Sequence, residues 1–195
     1  MRYGRGGTLA LSLLLLSAPA CGQAVERTQE KAGQEQYEAM ATQPAPEQAR
    51  AVIGPKSGSE VSGSATFTDH DGKVTLEIDL NSLSPGTHAV HIHAVGDCSS
   101  EDGKSAGGHW NPGGVDHGRW GTPPYHLGDL GNVVTDETGH ATLSVTTDLW
   151  SVGGGASNDV VGKAIIVHAG ADDFTSQPSG AAGPRVACGV IESVP

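Results

Sequence analysis

From about residue 51 onward, apolar and polar side chains alternate in short bursts. Val74-Thr75-Leu76-Glu77-Ile78-Asp79-Leu80 places four aliphatic residues on one face and Thr75, Glu77 and Asp79 on the other. That period of two predicts a strand covered on one side. Residues 61–67 alternate likewise, and Asp69-His70-Asp71-Gly72 between the two runs predicts a hairpin turn. Further strands are predicted at 87–94, 132–135, 141–147, 163–168 and 186–191, with another turn at Asp136-Glu137-Thr138-Gly139. Regular short strands joined by tight turns argue for an all-β fold, an antiparallel sandwich or closed barrel. Residues 95–131 break the pattern as a long irregular loop, and loops of that length inside a domain are usually functional. This one carries His109, Trp110, His117, Trp120, Tyr125, His126 and Asp129.

The pattern before residue 51 is different. Residues 1–20 read as a secretory signal: Arg2 and Arg5 give a positive start, and an apolar run follows from Leu9 to Leu16. That run is shorter than the roughly 20 apolar residues a bilayer crossing takes. Ala18-Pro19-Ala20 fits ordinary cleavage, which leaves Cys21 as a stray thiol. The segment also looks like a bacterial lipobox, with Cys21 lipidated as the mature N-terminus, although Ala18 stands where an aliphatic residue is usual. Of three cysteines in an exported chain one is left over, and an anchor at Cys21 uses it. Residues 21–50 are then the lipidated cysteine and a flexible tether rich in Gln, Glu and Ala, too poor in large apolar residues to fold alone. The remaining 51–195 are assigned to one domain.

Composition narrows the function. With 11 Lys+Arg against 22 Asp+Glu the formal charge is −11, and removal of 1–20 takes it to −13. No basic patch is available to displace counterions, so nucleic acid is excluded as a partner. Aromatic residues are only 4%, so the core must be aliphatic. The 9 histidines change the picture most. His91 and His93 stand two apart on a predicted strand, where both rings share a face and can share a metal. His109, His117, His126 and Asp129 come from the long loop, and His168 ends an aliphatic strand. Imidazole suits zinc and copper, and three His with one Asp suits tetrahedral zinc. Cys98 and Cys188 are not needed as ligands and are free to pair in an oxidising compartment.

His91-Ile92-His93, Gly108-His109-Trp110-Asn111-Pro112, His117, His126-Leu127-Gly128-Asp129-Leu130-Gly131-Asn132, Val167-His168 and Gly183-Pro184-Arg185-Val186-Ala187-Cys188-Gly189-Val190 follow one another in order. Over about 51–192 the chain resembles the copper-zinc superoxide dismutase family, in its exported bacterial branch. The resemblance implies an eight-stranded Greek-key β-sandwich or barrel, immunoglobulin-like, with long metal-binding loops. It implies copper on His91, His93, His109 and His168, and zinc on His109, His117, His126 and Asp129, with His109 bridging. Arg185 would guide superoxide, Asp172 would link a copper histidine to a zinc histidine, and Cys98 and Cys188 would form a disulfide. The implied activity converts two superoxide anions to oxygen and hydrogen peroxide, as antioxidant defence in the periplasm or cell envelope. Exported members differ in whether they form a homodimer, and no strand here stands out as an interface. Contact with a membrane is expected only through the anchor at Cys21.

Other readings of these residues are weaker. A non-catalytic copper-binding or buffering protein of the same fold would usually lack copper ligands or carry an added Cys-x-x-Cys, and neither holds here. An adhesion module that kept only the fold has no need of Arg185. His88 reads as a structural histidine bonding to nearby backbone. His70 and His140 lie in turns and are expected in solvent. Trp110, Trp150 and Phe174 read as packing, and Gly153-Gly154-Gly155 as a turn. Lys163 and Lys104 are candidates for a second cation beside Arg185.

Overall fold

The alternation of 74–80 is realised in a strand whose inward residues Val74, Leu76, Ile78 and Leu80 are at most 2% exposed. The computed structural model describes residues 47–195 together with Gln29 and Lys31. The expected leader 1–20, Cys21 and nearly all of the expected tether lie outside the described residues. The strands are β1 (Glu47–Pro55), β2 (Ser62–His70), β3 (Lys73–Asn81), β4 (Thr87–His93), β5 (Gly131–Val134), β6 (Ala141–Thr147), β7 (Ala164–His168) and β8 (Arg185–Val194). A short 3-10 turn covers Lys104–Ala106. β1 begins at Glu47, ahead of the expected domain start at 51, and pairs with both β2 and β8.

β2 and β3 meet in a two-residue turn at Asp71 and Gly72, both left-handed at φ 54° and 78°. Such mirror-image turns match the twist of the flanking strands. The Gly72 N–H donates to Asp69 Oδ1 at 3.0 Å and closes it. At Gly153–Gly155 the buried Asp159 carboxylate accepts N–H bonds from Gly153, Gly155 and Val161 at 2.8–2.9 Å. That segment is a turn built around one acid.

The strand order is β5-β4-β7-β8-β1-β2-β3-β6, with every neighbouring pair antiparallel. Its two edge strands, β5 and β6, follow each other in the chain, so the sheet curls into a nearly closed barrel. The links from β3 to β4 and from β6 to β7 skip over neighbours, which gives the Greek-key crossings. Phe67, Leu76, Leu80, Ile92, Ile165 and Ile191 fill the interior. Phe67 meets Trp150 edge-on, ring centroids 6.0 Å apart.

β4 and β7 are buried on both faces. Val90, Ile92, Ile165 and Val167 point into the core, while Ala164 and Ile166 join a separate outer cluster with Ala106 and Cys188. On β4 the outer face also carries His91 and His93, and on β7 it ends in His168. The site therefore lies outside the barrel wall, beneath the loops 94–130 and 169–184.

Candidate metal centre

Strand periodicity brings the first histidines together. His91 and His93 share the outer face of β4, and His91 is paired in register with Ile166, two residues before His168. His109 is drawn to the same place by a bridge to His93. Ring centroids of His91 lie 4.0 Å from His109 and 5.0 Å from His168, and those of His93 and His109 are 5.0 Å apart. One nitrogen from each of these four residues falls within 4.8 Å of the others.

The opposite nitrogens decide which ones face inward. A carbonyl only accepts, so a ring nitrogen beside one must donate. His93 Nδ1–H donates to Gly107 O at 2.9 Å, and His168 Nδ1–H donates to Gly183 O at 3.1 Å. His91 Nε2–H donates to Asp172 Oδ2 at 2.8 Å. What remains is His91 Nδ1, His93 Nε2, His109 Nε2 and His168 Nε2, all buried and without a hydrogen-bond partner. Orphaned buried nitrogens are costly, and a bound cation is one way to satisfy them.

A second set gathers around one carboxylate oxygen. The Nδ1 atoms of His109, His117 and His126 stand 2.8, 3.1 and 3.1 Å from Asp129 Oδ1. Zinc bonds of about 2.0–2.2 Å in a tetrahedron space their ligands by about 3.3 Å, so these separations fit. Asp129 Oδ2 meanwhile accepts N–H bonds from His126 at 2.7 Å and Gly118 at 3.1 Å. His126 Nε2–H donates to Val115 O at 3.0 Å. His117 Nε2 bonds Asp172 Oδ1 at 2.9 Å. Asp172 thus touches one ring of each set, and His109 belongs to both.

The electrostatics suit cation binding. Burial pushes His93 down to about 2 and His168 to about 3, each reinforced by neighbouring histidines. Burial likewise lowers His109 to about 4, against the pull of Asp129. These rings are neutral at pH 7, the form that ligates metal. Burial alone would raise the carboxyls of Asp129 and Asp172, but the bonds they accept reverse it and hold both below the usual range. For His117 burial works downward, and its bonds to Asp172 and Asp129 outweigh it and carry the ring upward.

Arg185 reaches this face through a bulge. Val167 pairs with Ala187 but His168 pairs with Arg185, so Val186 is the extra residue. Bulges re-aim side chains in this way. Nη1–H donates to Gly103 O at 2.7 Å and Nη2–H to Gly107 O at 2.6 Å, the carbonyl that also serves His93. The disulfide Cys98–Cys188, Cα atoms 5.8 Å apart, ties this part of the loop to β8. Lys104 pairs with Asp102 at 2.8 Å in solvent, and Lys163 faces the Trp110 ring at 5.9 Å. Lys56 is the cation that packs nearby: a Cβ on Gly103 would touch both its stem and that of Arg185. No sequence signal distinguishes it.

Several expectations have outcomes here. His88 bonds the carbonyls of His168 and Ser84 at 2.9 Å each, as a structural histidine should. His70 is in solvent, whereas His140 is half-buried and bonds Asp79 at 3.0 Å. Trp110 and Trp150 are core, and Phe174 lies under the Arg119 guanidinium at 3.8 Å. Gln177 and Gly180 also touch the site and escape sequence reasoning, since neither carries ligand chemistry.

The profile of the family described as copper/zinc superoxide dismutase (SODC) matches residues 61–191. This chain belongs to the copper/zinc superoxide dismutase family. A protein named superoxide dismutase [Cu-Zn] from Caulobacter vibrioides is 39% identical over 149 residues, 74% of this chain and 85% of the relative. Superoxide dismutase [Cu-Zn] 2 from Aquifex aeolicus is 37% identical over 136 residues, 68% of this chain and 80% of that one. A crystal structure of the clock protein EA4 superposes with a TM-score of 0.67 at 36% identity, covering 77% of this chain and 96% of EA4. The protein is a copper/zinc superoxide dismutase, an oxidoreductase with superoxide as its substrate. Its metals are copper and zinc, and the two clusters are where such ions could sit.

Proposed function

We propose that His91, His93, His109 and His168 hold copper, and that His109, His117, His126 and Asp129 hold zinc, with His109 giving one ring nitrogen to each. The observation that carries this reading is the set of four partnerless ring nitrogens converging outside the barrel wall. Bound copper would supply the one-electron couple that two superoxide anions use in turn, and zinc would keep the shared ring in place. The residues do the rest. Asp172 accepts N–H bonds from His91 and His117, which fixes both rings and raises their basicity as ligands. Arg185, held by two loop carbonyls, presents a fixed positive charge near His93 and His168, whose protonation it disfavours. An incoming anion meets that charge in a partly desolvated cleft, where it acts more strongly than in water. The peroxide product takes up two protons; His109 Nε2 could carry one of them whenever that nitrogen is not held by copper, with solvent supplying the other.

The reading extends to place. Residues 1–20 act as an export signal, Cys21 carries a lipid anchor, and a short tether leads into β1, so that the enzyme defends the cell envelope. The disulfide supports export, because such bonds persist in oxidising compartments.

The test uses the full chain loaded with both metals, beside His168→Ala and Cys21→Ser. We expect wild-type dismutation near the diffusional ceiling, which general principle assigns to this enzyme class, and its collapse in His168→Ala together with copper occupancy. Undiminished activity and copper content in His168→Ala would overturn the ligand assignment. Cys21→Ser is expected to move the protein from the membrane fraction to the soluble one. Unchanged partitioning would refute the anchor.

A further inference from the structure

The main chain of His117 lies in an irregular loop with no ladder to satisfy it. Its N–H donates to Gln177 Oε1 at 2.9 Å, and its C=O accepts from Gln177 Nε2 at 2.9 Å. One carboxamide, 60 residues away in the chain, therefore does for His117 what a neighbouring strand would do. Beside it the Asp172 carboxylate holds the imidazole Nε2. The loop 169–184 thus grips this ligand at both its backbone and its ring. It does so from a rigid base. Asp172 Oδ1 accepts the Phe174 N–H at 2.7 Å, Asp173 Oδ1 accepts those of Thr175 and Ser176, and Gly180 N–H donates to Ser176 O at 2.7 Å. A second clasp, Arg119 stacked on Phe174, joins the same two loops two residues beyond His117.

We propose that Gln177 is a positioning residue for the zinc site: its carboxamide fixes the backbone of His117 and so governs how long zinc is held. This rests on the assignment of His117 as a zinc ligand. A ring can be aimed by Asp172 only if its Cα is stationary; the His117 N–H and C=O are both bonded by Gln177, while the neighbouring Gly118 N–H is held by Asp129 Oδ2 at 3.1 Å. With the clasp removed, His117 keeps its ring partner but gains backbone freedom, and the three-His, one-Asp geometry opens more often. Outer partners of metal ligands commonly set affinity by about 10–100-fold.

The experiment compares the copper- and zinc-loaded full-length enzyme with Gln177→Ala, Gln177→Glu and His117→Ala. Zinc release into a chromogenic chelator is timed, and cobalt(II) placed at the zinc site is read by its visible bands. Gln177→Ala should release zinc about 10–100-fold faster, with altered cobalt bands and a copper signal like that of wild type. Gln177→Glu keeps an acceptor for the N–H and loses the donor to the carbonyl, so its release rate should fall between. Wild-type release and cobalt bands in Gln177→Ala would overturn the proposal. So would an equal loss of thermal stability with and without metals, which marks a purely structural contact. Unchanged zinc release in His117→Ala would instead overturn the ligand assignment beneath it.

Discussion

Gly180 approaches Asp172 so closely that a Cβ built on it would stand 1.9 Å from Oδ1 and 2.7 Å from His117 Nε2. Its φ of 71° adds a second reason for glycine, since L side chains pay about 1–2 kcal/mol there. The carboxylate has little room to retreat. Asn132 Nδ2–H donates to Asp172 O at 2.9 Å, and Asn132 Oδ1 accepts the Asp172 N–H at 2.8 Å. A methyl group at 180 must therefore push Oδ1 away from His117, from the Phe174 N–H, or from both. Gly180→Ala is expected to weaken retention of both metals by about 10–100-fold, because Asp172 serves a ring of each set. The metal-free protein should lose more unfolding free energy than the backbone cost of about 1–2 kcal/mol, because the displaced carboxylate also gives up a buried bond to His117 or to the Phe174 N–H, worth about 1–3 kcal/mol. Chelator competition checks the first and denaturant unfolding the second. Normal retention in the variant would mean that Asp172 is not the point through which the two sets are held.

Strands with large aliphatic residues are legible one by one, and their joint placement is not. β6 and β3 carry alternation strong enough to place them to within a residue. β1 escapes because its first residues, Glu47-Gln48-Ala49-Arg50, bury only alanine, and Ala49 and Ala51 give little hydrophobic contrast. Its strand character comes from pairing with β2 on one side and β8 on the other, a tertiary cause that no local pattern records. The histidines of the two clusters are legible by type and order, and His91 and His93 also by their spacing on a strand. What orients them is not. The Asp172 bond to His91 spans 81 residues, the Gln177 clasp spans 60, and the bulge at Val186 that turns Arg185 outward leaves no mark on periodicity. The likeness to a family supplied Asp172 and Arg185, whereas Gln177, Gly180 and Lys56 required the loops to be folded.

At the scale of the molecule an anionic substrate must approach an anionic protein, since the formal charge of the whole chain is −11. Two distances separate the opposing influences. Carboxylates such as Asp71 and Glu77 are exposed at or beside β3, which lies three places from β8 in the strand order. Arg185 stands on the site itself, half-buried beside His168. The Debye length is about 30 Å at 0.01 M salt and about 8 Å at 0.15 M. Repulsion from the far side therefore reaches the cleft only in dilute salt, while the pull of Arg185 operates within the shorter length and through a less polar medium. Neutralising both carboxylates, Asp71→Asn with Glu77→Gln, should raise the dismutation rate at 0.01 M salt and leave it unchanged at 0.15 M. Arg185→Ala should lower the rate by about 10-fold at 0.01 M, the lower end of what focused fields supply. Several-fold of that loss should persist at 0.15 M. Stopped-flow or pulse-radiolysis rates across this salt range separate the two. If the Arg185→Ala deficit vanished at 0.15 M while the carboxylate variant still ran fast, capture would be governed by the net charge of the molecule, and Arg185 would have no local part in it.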